Sequence, residues 1–298
     1  MKSQKVLFIS YDGMTDPLGQ SQVLPYLTNL AKLNYEIHIL STEKEENFEK
    51  HKVVIEGIVQ EGNIKWFHVN YTKNPPVLST IKDVRALGKE VERLHQEYNY
   101  LFLHCRSYIS ALVGLKMKRK HGVKFLFDMR GFWADERIDG GIWNPNILPF
   151  KIIYNFFKQK EKAYLLEADE VVSLTYNGKE EMQSWNYLQG KKDNISVIPC
   201  CADLEHFNFE KTQTSSTLRS ELGIDKNAFV LCYLGSVGTW YMQKEMLDYF
   251  KVQLKSIPNS VFLWITKDDP SIILDEAKKI GVENKIIIKP SERSDLPS

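Results

Sequence analysis

Asp128, Arg130, Trp133 and Asp135 fall within eight residues, in the stretch FDMRGFWADERIDGGIWNP that follows a hydrophobic, strand-like run. Side chains alternate along a strand, so Asp128 and Arg130 can both reach its rim while Phe127 and Met129 face inward or sideways. Acids, an arginine and aromatic faces together suit a sugar. Rings stack on the apolar face of a pyranose, and carboxylate and guanidinium groups take hydroxyls or phosphate. An internal ion pair beneath a loop is the plainer alternative.

Two glycine-bearing loops suit an anion. In SYDGMTDPLGQSQVLPYL, Gly13 and Gly19 permit close backbone approach, and the amides from Gly19 to Gln22 open a helix, a place where phosphate binds readily. The GxGxxG spacing is missing, which argues against a dinucleotide-dependent dehydrogenase, and a plain turn capped by Ser21 is the alternative. In YLGSVGTWYMQKEM, Gly235 and Gly238 flank the start of another helix in the same strand, glycine, helix order. The stretch VIPCCADLEHF sets two cysteines beside a proline, two acids and a histidine. Cys200, Cys201 and His206 lack the spacing of a structural zinc site.

The elements that must carry these loops alternate. KVLFISY, YEIHILST, IKWFHVNY, YLFLHCRS, KFLFDMRG, EVVSLT and ISVIPCC read as strands, with helix-period segments between most of them, the rhythm of a parallel sheet covered by helices. After a polar stretch around TQTSST the alternation restarts with FVLCYLGS, SVFLWITK and KIIIKP. The expected organisation is therefore α/β with two Rossmann-like units: a first domain at 1–201, a linker at 202–224 and a partial second domain at 225–298. The final residues, SERSDLPS, read as the start of a further helix.

A chain of 298 residues with 43% hydrophobic and 26% charged residues can bury two cores. Lys plus Arg number 39 against 38 Asp plus Glu, so no global field favours nucleic acid. No run approaches a membrane span, and the N-terminus lacks a signal-peptide core. Cys105, Cys200, Cys201 and Cys232 form no CxxC pair, which predicts a reduced, cytoplasmic chain. The helix PFKIIYNFFKQKEKAYLLEA reads as core-packing with a basic solvent face, with attachment to anionic lipid as its second use.

Taken in order, these motifs resemble the retaining family 4 glycosyltransferases of the two-domain GT-B fold. VIPCCADLEHF is similar to that family's interdomain signature, which makes it a joint: Pro199 ends a strand, Asp203 caps the next turn, Phe207 anchors the linker, and the cysteines are not nucleophiles. PLGQSQVLPYLTNLAKLNYEIHILST resembles the family's first loop and helix, and KQKEKAYLLEADEVVSLTYNGKEEM its Glu-x6-Ala-Asp segment. The resemblance spans nearly the whole chain.

It implies acceptor binding mainly to the first domain, nucleotide-sugar binding mainly to the second, and transfer between them by front-side attack that needs no metal or other cofactor. Asp128 and Arg130 would face the reacting sugar. Gly19, Gln20, Gly235, Ser236, Gly238 and Lys244 would hold the donor, and Asp16, Arg106, Trp133 and Asp135 the acceptor. Relatives place an Arg and then a Lys after the second domain's first strand; here Ser236 stands there, with Tyr241 and Lys244 nearby, so the Gly235–Gly238 amides would have to hold the diphosphate. The family's Glu-x7-Glu motif would lie beyond Lys289, and the chain is expected to be incomplete for catalysis.

The implied function is transfer of a hexosyl group from a nucleotide-sugar to a glycan or lipid-linked acceptor, with retention, in surface polysaccharide or glycoconjugate biosynthesis. It would occur in the cytoplasm or peripherally at the inner membrane face. One alternative is a catalytically incomplete acceptor- or partner-binding module whose donor half is absent or supplied in trans, with a dimer covering the sheet edge after Lys289. Another is a nucleotide-sugar epimerase using Asp128, Asp135 and Glu136.

Overall fold

The computed structural model describes residues 4–190, 194–205, 207–208, 217–238, 241–292 and 296. The chain divides into two compact units, Met1–Cys201 and Ala202–Ser298.

The first unit is built on a seven-stranded parallel sheet in the order β3-β2-β1-β4-β5-β6-β7. Its strands are β1 (Gln4–Ser10), β2 (Tyr35–Glu43), β3 (Lys65–Asn70), β4 (Phe102–Arg106), β5 (Lys124–Asp128), β6 (Glu170–Ser173) and β7 (Ile195–Val197). The central strands are apolar on successive residues because both faces of a parallel sheet are covered. Leu7 and Ile9 join one buried cluster while Phe8, between them, joins the other. The order reverses between β1 and β4, and it is beyond the carboxyl ends of strands at such a switch that ligands bind. Registry aligns the ends: Ser10 pairs with Arg106, and Arg106 with Asp128.

The connecting helices are α1 (Leu24–Ala31), α2 (Glu45–Glu61), α3 (Leu78–Tyr98), α4 (Ser107–His121), α5 (Trp133–Asp139), α6 (Leu148–Glu167) and α7 (Tyr176–Ser184). A wide π-type turn, Gly19–Val23, runs directly into α1. Helix α4 is buried along most of its length, and Gly114 lets it approach the sheet: a Cβ there would stand 3.0 Å from the Phe125 ring. It stops at Gly122, whose φ of +70° is the left-handed conformation that glycine supplies at helix ends.

Pro199, expected to end the strand of VIPCCADLEHF, lies two residues beyond the end of β7. Strand β7 ends at Val197, and Asp203 caps the turn, its Oδ1 accepting from Glu205 N at 3.1 Å and its carbonyl from Phe207 N at 2.9 Å. Phe207 is 37% exposed. His206, the centre of the TQTSST stretch and most of SERSDLPS lie outside the described residues.

The second unit has a three-stranded parallel sheet, β10-β9-β8, from β8 (Phe229–Leu234), β9 (Ser260–Ile265) and β10 (Ile286–Lys289). Helices α8 (Thr217–Glu221), α9 (Gln243–Ser256) and α10 (Pro270–Ile280) accompany it, so the expected linker carries a short helix. Leu247, Phe250, Phe262, Trp264 and Ile273 form its core. Asp269 caps α10 by accepting from Ser271 N, and Pro270 fills the first helical position, where no amide partner is lost. Among the described residues no helix is long and apolar enough to cross a membrane.

Candidate functional site

The carboxyl ends of β1, β4 and β5 bring a charged cluster together. Asp128, the last residue of β5, is 5% exposed, and its Oδ1 has no hydrogen-bond partner. Its Oδ2 lies 3.5 Å from His104 Nε2, and its Oδ1 lies 3.9 Å from Arg130 Nη1. Arg130 sits at φ +62°, an unusual left-handed conformation for a side chain this large, so the strand alternation expected to carry it to the rim ends at Asp128. That turn directs its guanidinium to Gln22 Oε1 at 3.0 Å and Cys200 Sγ at 3.4 Å.

Tyr26 and His104 complete the cluster, and sequence patterning did not single them out. Their rings pack on Phe8, and neither Tyr26 Oη nor His104 Nε2 has a hydrogen-bond partner. Burial, and then the Asp128 charge, raises the Tyr26 pKa well above its ordinary value. Three buried polar atoms without partners in one place are costly in a folded protein, and such expense concentrates at sites that bind something polar. Arg106, one register step away, is buried and ion-paired with Asp12.

The first loop differs in detail from expectation. Glu43, at the end of β2 and 2% exposed, accepts from Met14 N at 2.7 Å, Thr15 N at 3.2 Å and the Thr15 and Ser41 hydroxyls. The protein's own carboxylate thus occupies the anion position offered by those amides. The helix begins at Pro17 rather than Gly19: Gln20 N already donates to the Asp16 carbonyl at 3.1 Å, and Ser21, well inside, donates to the Pro17 carbonyl instead of capping. Gln20 also spends its side-chain amide on the Thr15 carbonyl. Gly19 is needed for packing, since a Cβ would lie 2.6 Å from Met14 Cα and collide with the Gly13 carbonyl. Asp16, expected to meet the acceptor, is buried and held by Lys44 Nζ at 2.9 Å, by Asn47 and by Gly13 N.

Helix α5 holds the other acceptor candidates, Trp133 and Asp135, and packs on α6. Trp133 stacks with Tyr108 and meets Trp143 and Phe157 edge-on, with the Arg137 guanidinium 4.0 Å from its ring centroid. Asp135 accepts from Tyr154 Oη and Lys158 Nζ, both at 2.8 Å. Beneath them Glu161, 1% exposed, is paired with Lys158 and accepts from the Tyr108 hydroxyl; burial raises its pKa. Asp135 is therefore part of a bridging network that positions α6, not a free acid.

In the second unit, Gly235 and Gly238 have φ of +155° and +126°. Two of the four amides proposed to cradle a diphosphate are taken: Gly235 N donates to the Ile265 carbonyl and Val237 N to Asp268 Oδ2 at 2.7 Å. The Ser236 carbonyl accepts from Tyr233 Oη, and Lys244 stands exposed in the first turn of α9. Among the described residues no group of three or more His, Cys, Asp or Glu is placed to hold a metal ion.

The two parallel α/β units define a class by fold, the GT-B architecture. Sucrose-phosphate synthase of Thermosynechococcus elongatus superposes with a TM-score of 0.69 at 14% identity, over 99% of this chain and 72% of that one. Anabaena HepE, solved in complex with UDP and glucose, gives 0.66 at 12% identity over 99% and 71%. The UDP-N-acetylglucosamine 2-epimerase of Rickettsia bellii gives 0.54 at 14% identity, again over 99% and 71%. The chain spans about seven tenths of the length of these structures. Comparison with curated proteins gives no match. Residues 20–206 match the model of Glycosyltransferase Family 4, and the chain belongs to that family.

Proposed function

We propose that the protein transfers a sugar from a nucleotide-sugar to a glycan or lipid-linked acceptor with retention of anomeric configuration, in the assembly of a surface polysaccharide or glycoconjugate. The observation that carries this reading is Asp128, a buried carboxylate with an unpartnered oxygen beside Arg130, His104 and Tyr26 at the sheet's switch point, in a chain of this family. Asp128 and Arg130 face the reacting sugar: the guanidinium stabilises charge on the departing phosphate, and the carboxylate orients a hydroxyl. Placement and charge do the chemistry, and no metal or cofactor is invoked. Arg106, Trp133 and Asp135 are the acceptor-side candidates, with Trp133 held in the aromatic cluster by Tyr108 and Arg137. Gly19, Ser236, Gly238 and Lys244 are the donor-side candidates.

A nucleotide-sugar as the donor class is supported by the neighbour solved with UDP and glucose. Cytoplasmic placement is supported by four free cysteines, three of them exposed.

The test presents the purified protein with a panel of nucleotide-sugars and lipid-linked or oligosaccharide acceptors, and determines the product anomer by NMR. A glycoside with the donor's configuration is expected. An inverted product refutes retention, a free epimer as sole product assigns the chain to the epimerases, and no binding or turnover with any donor favours a binding module.

A further inference from the structure

Helix α6 carries an apolar stripe on its solvent side. Leu148, Ile152 and Phe156, spaced four residues apart and therefore on one helix face, are 68%, 59% and 43% exposed. Ile147, just ahead of the helix, and Ile142, in the loop before it, are 46% and 43% exposed. Burying these side chains on folding was available to the opposite face, where Phe157, Glu161, Tyr164 and Leu165 are enclosed. The stripe is instead left in water, where its apolar surface is unfavourable.

Charge identifies what covers it. From Gly140 to Lys160 the chain contains no Asp or Glu and three lysines. Lys158 is committed to Asp135 and Glu161, whereas Lys151 adjoins the stripe and Lys160 ends it, with its ammonium 5.5 Å from the Phe156 ring centroid. Apolar side chains flanked by Lys151 and Lys160 are what an anionic bilayer surface accommodates: the rings and branches enter the headgroup boundary and the ammonium groups meet phosphates. A second copy fits less well, because one helical stripe and a short loop fall short of the roughly 800 Å² per partner of a stable interface.

We infer that the α5–α6 segment docks the protein on an anionic lipid surface through Ile147, Leu148, Ile152 and Phe156, flanked by Lys151 and Lys160. The same segment carries Trp133 and Asp135, so docking would bring a lipid-linked acceptor beside these two residues. That consequence rests on the proposed function; the docking itself does not, and its test involves no nucleotide-sugar.

The test is flotation of the purified chain with vesicles of phosphatidylcholine alone or mixed with phosphatidylglycerol, at low and high salt. Binding to the mixed vesicles only, weakened by salt, is expected. Lys151→Gln and Lys160→Gln should each weaken it about five-fold, and Ile152→Asp with Phe156→Asp should abolish it while far-UV circular dichroism and melting stay unchanged. Equal binding to both vesicle types, or undiminished binding by these variants, overturns the inference. So does a dimer in light scattering that Phe156→Asp converts to monomer, since the stripe then belongs to a second copy. Failure here leaves the transferase reading intact.

Discussion

His104 Nε2 lies 3.5 Å from Asp128 Oδ2, while Asp128 Oδ1 and the nearby Tyr26 hydroxyl have no hydrogen-bond partner. The imidazole comes from β4 and the carboxylate from β5, so sheet registry sets their separation. Tyr26 is delivered from α1, which the loop after β1 starts and steers.

An unpartnered buried hydroxyl costs stability, about 1–3 kcal/mol. Tyr26→Phe removes only that oxygen, and should therefore raise the melting temperature while lowering sugar transfer, the pattern of a residue kept for function. Differential scanning calorimetry beside an activity assay decides it. A lower melting temperature with unchanged transfer contradicts the site assignment.

Glu43 holds the first loop by accepting from two backbone amides and two hydroxyls. Glu43→Gln turns one acceptor into a donor facing donors. It should cost about 1–3 kcal/mol in urea unfolding and reduce transfer through the displaced loop. Unchanged stability would show that another group holds Met14 and Thr15.

Gly19→Ala sets a Cβ against backbone that no side-chain rotation can move, since Gly13 and Met14 themselves supply the obstructing atoms. A loss of about 1–3 kcal/mol is expected. Because the strain lies in the loop, hydrogen exchange at Gly13 to Gln22 should accelerate more than in the second unit. A uniform change across both units would contradict a local effect.

His38, fully buried in β2, lies 2.7 Å from Tyr100 Oη and 3.2 Å from Glu36 Oε1, and Lys65 pairs with that same Glu36. Burial holds its imidazole below the ordinary value, ahead of the opposing effect of Glu36. The unfolded chain takes a proton from about pH 6.5 downward, while the folded chain resists it to a lower pH. The stability from keeping His38 neutral is thus present above about pH 6.5 and is lost as pH falls toward the folded pKa. Replacing His38 by Gln should destabilise the protein most near neutrality, with the difference from the native chain shrinking in acid. A pH-independent difference in chemical unfolding would contradict this.

The α/β alternation was legible because buried parallel strands are near-continuous apolar runs, as in KVLFIS and KFLFD. Asp128 and Arg130 stood out as a charged pair, but nothing in MRG marks Arg130 as left-handed, and the inferred rim position failed with the strand at Asp128. Glu43 lay hidden because STEK reads as the polar end of a strand; only the collapse of the first loop onto β2 buries it. His104 and Tyr26 were invisible for a related reason, since non-local registry and helix placement determine which polar atoms are left without partners. Asp16 and Asp135 have the residue type of ligand groups yet are consumed by Lys44 and Lys158, each brought from another element.

The most direct test of the account compares native protein with Asp128→Asn, measuring both donor affinity by calorimetry and sugar transfer with the donor selected from the nucleotide-sugar panel. The substitution keeps the shape and removes the charge beside Arg130. The account predicts a fall in transfer of about 100-fold or more, with donor affinity and melting temperature little changed. Transfer at the native rate by Asp128→Asn would contradict it and remove this cluster from the reacting centre.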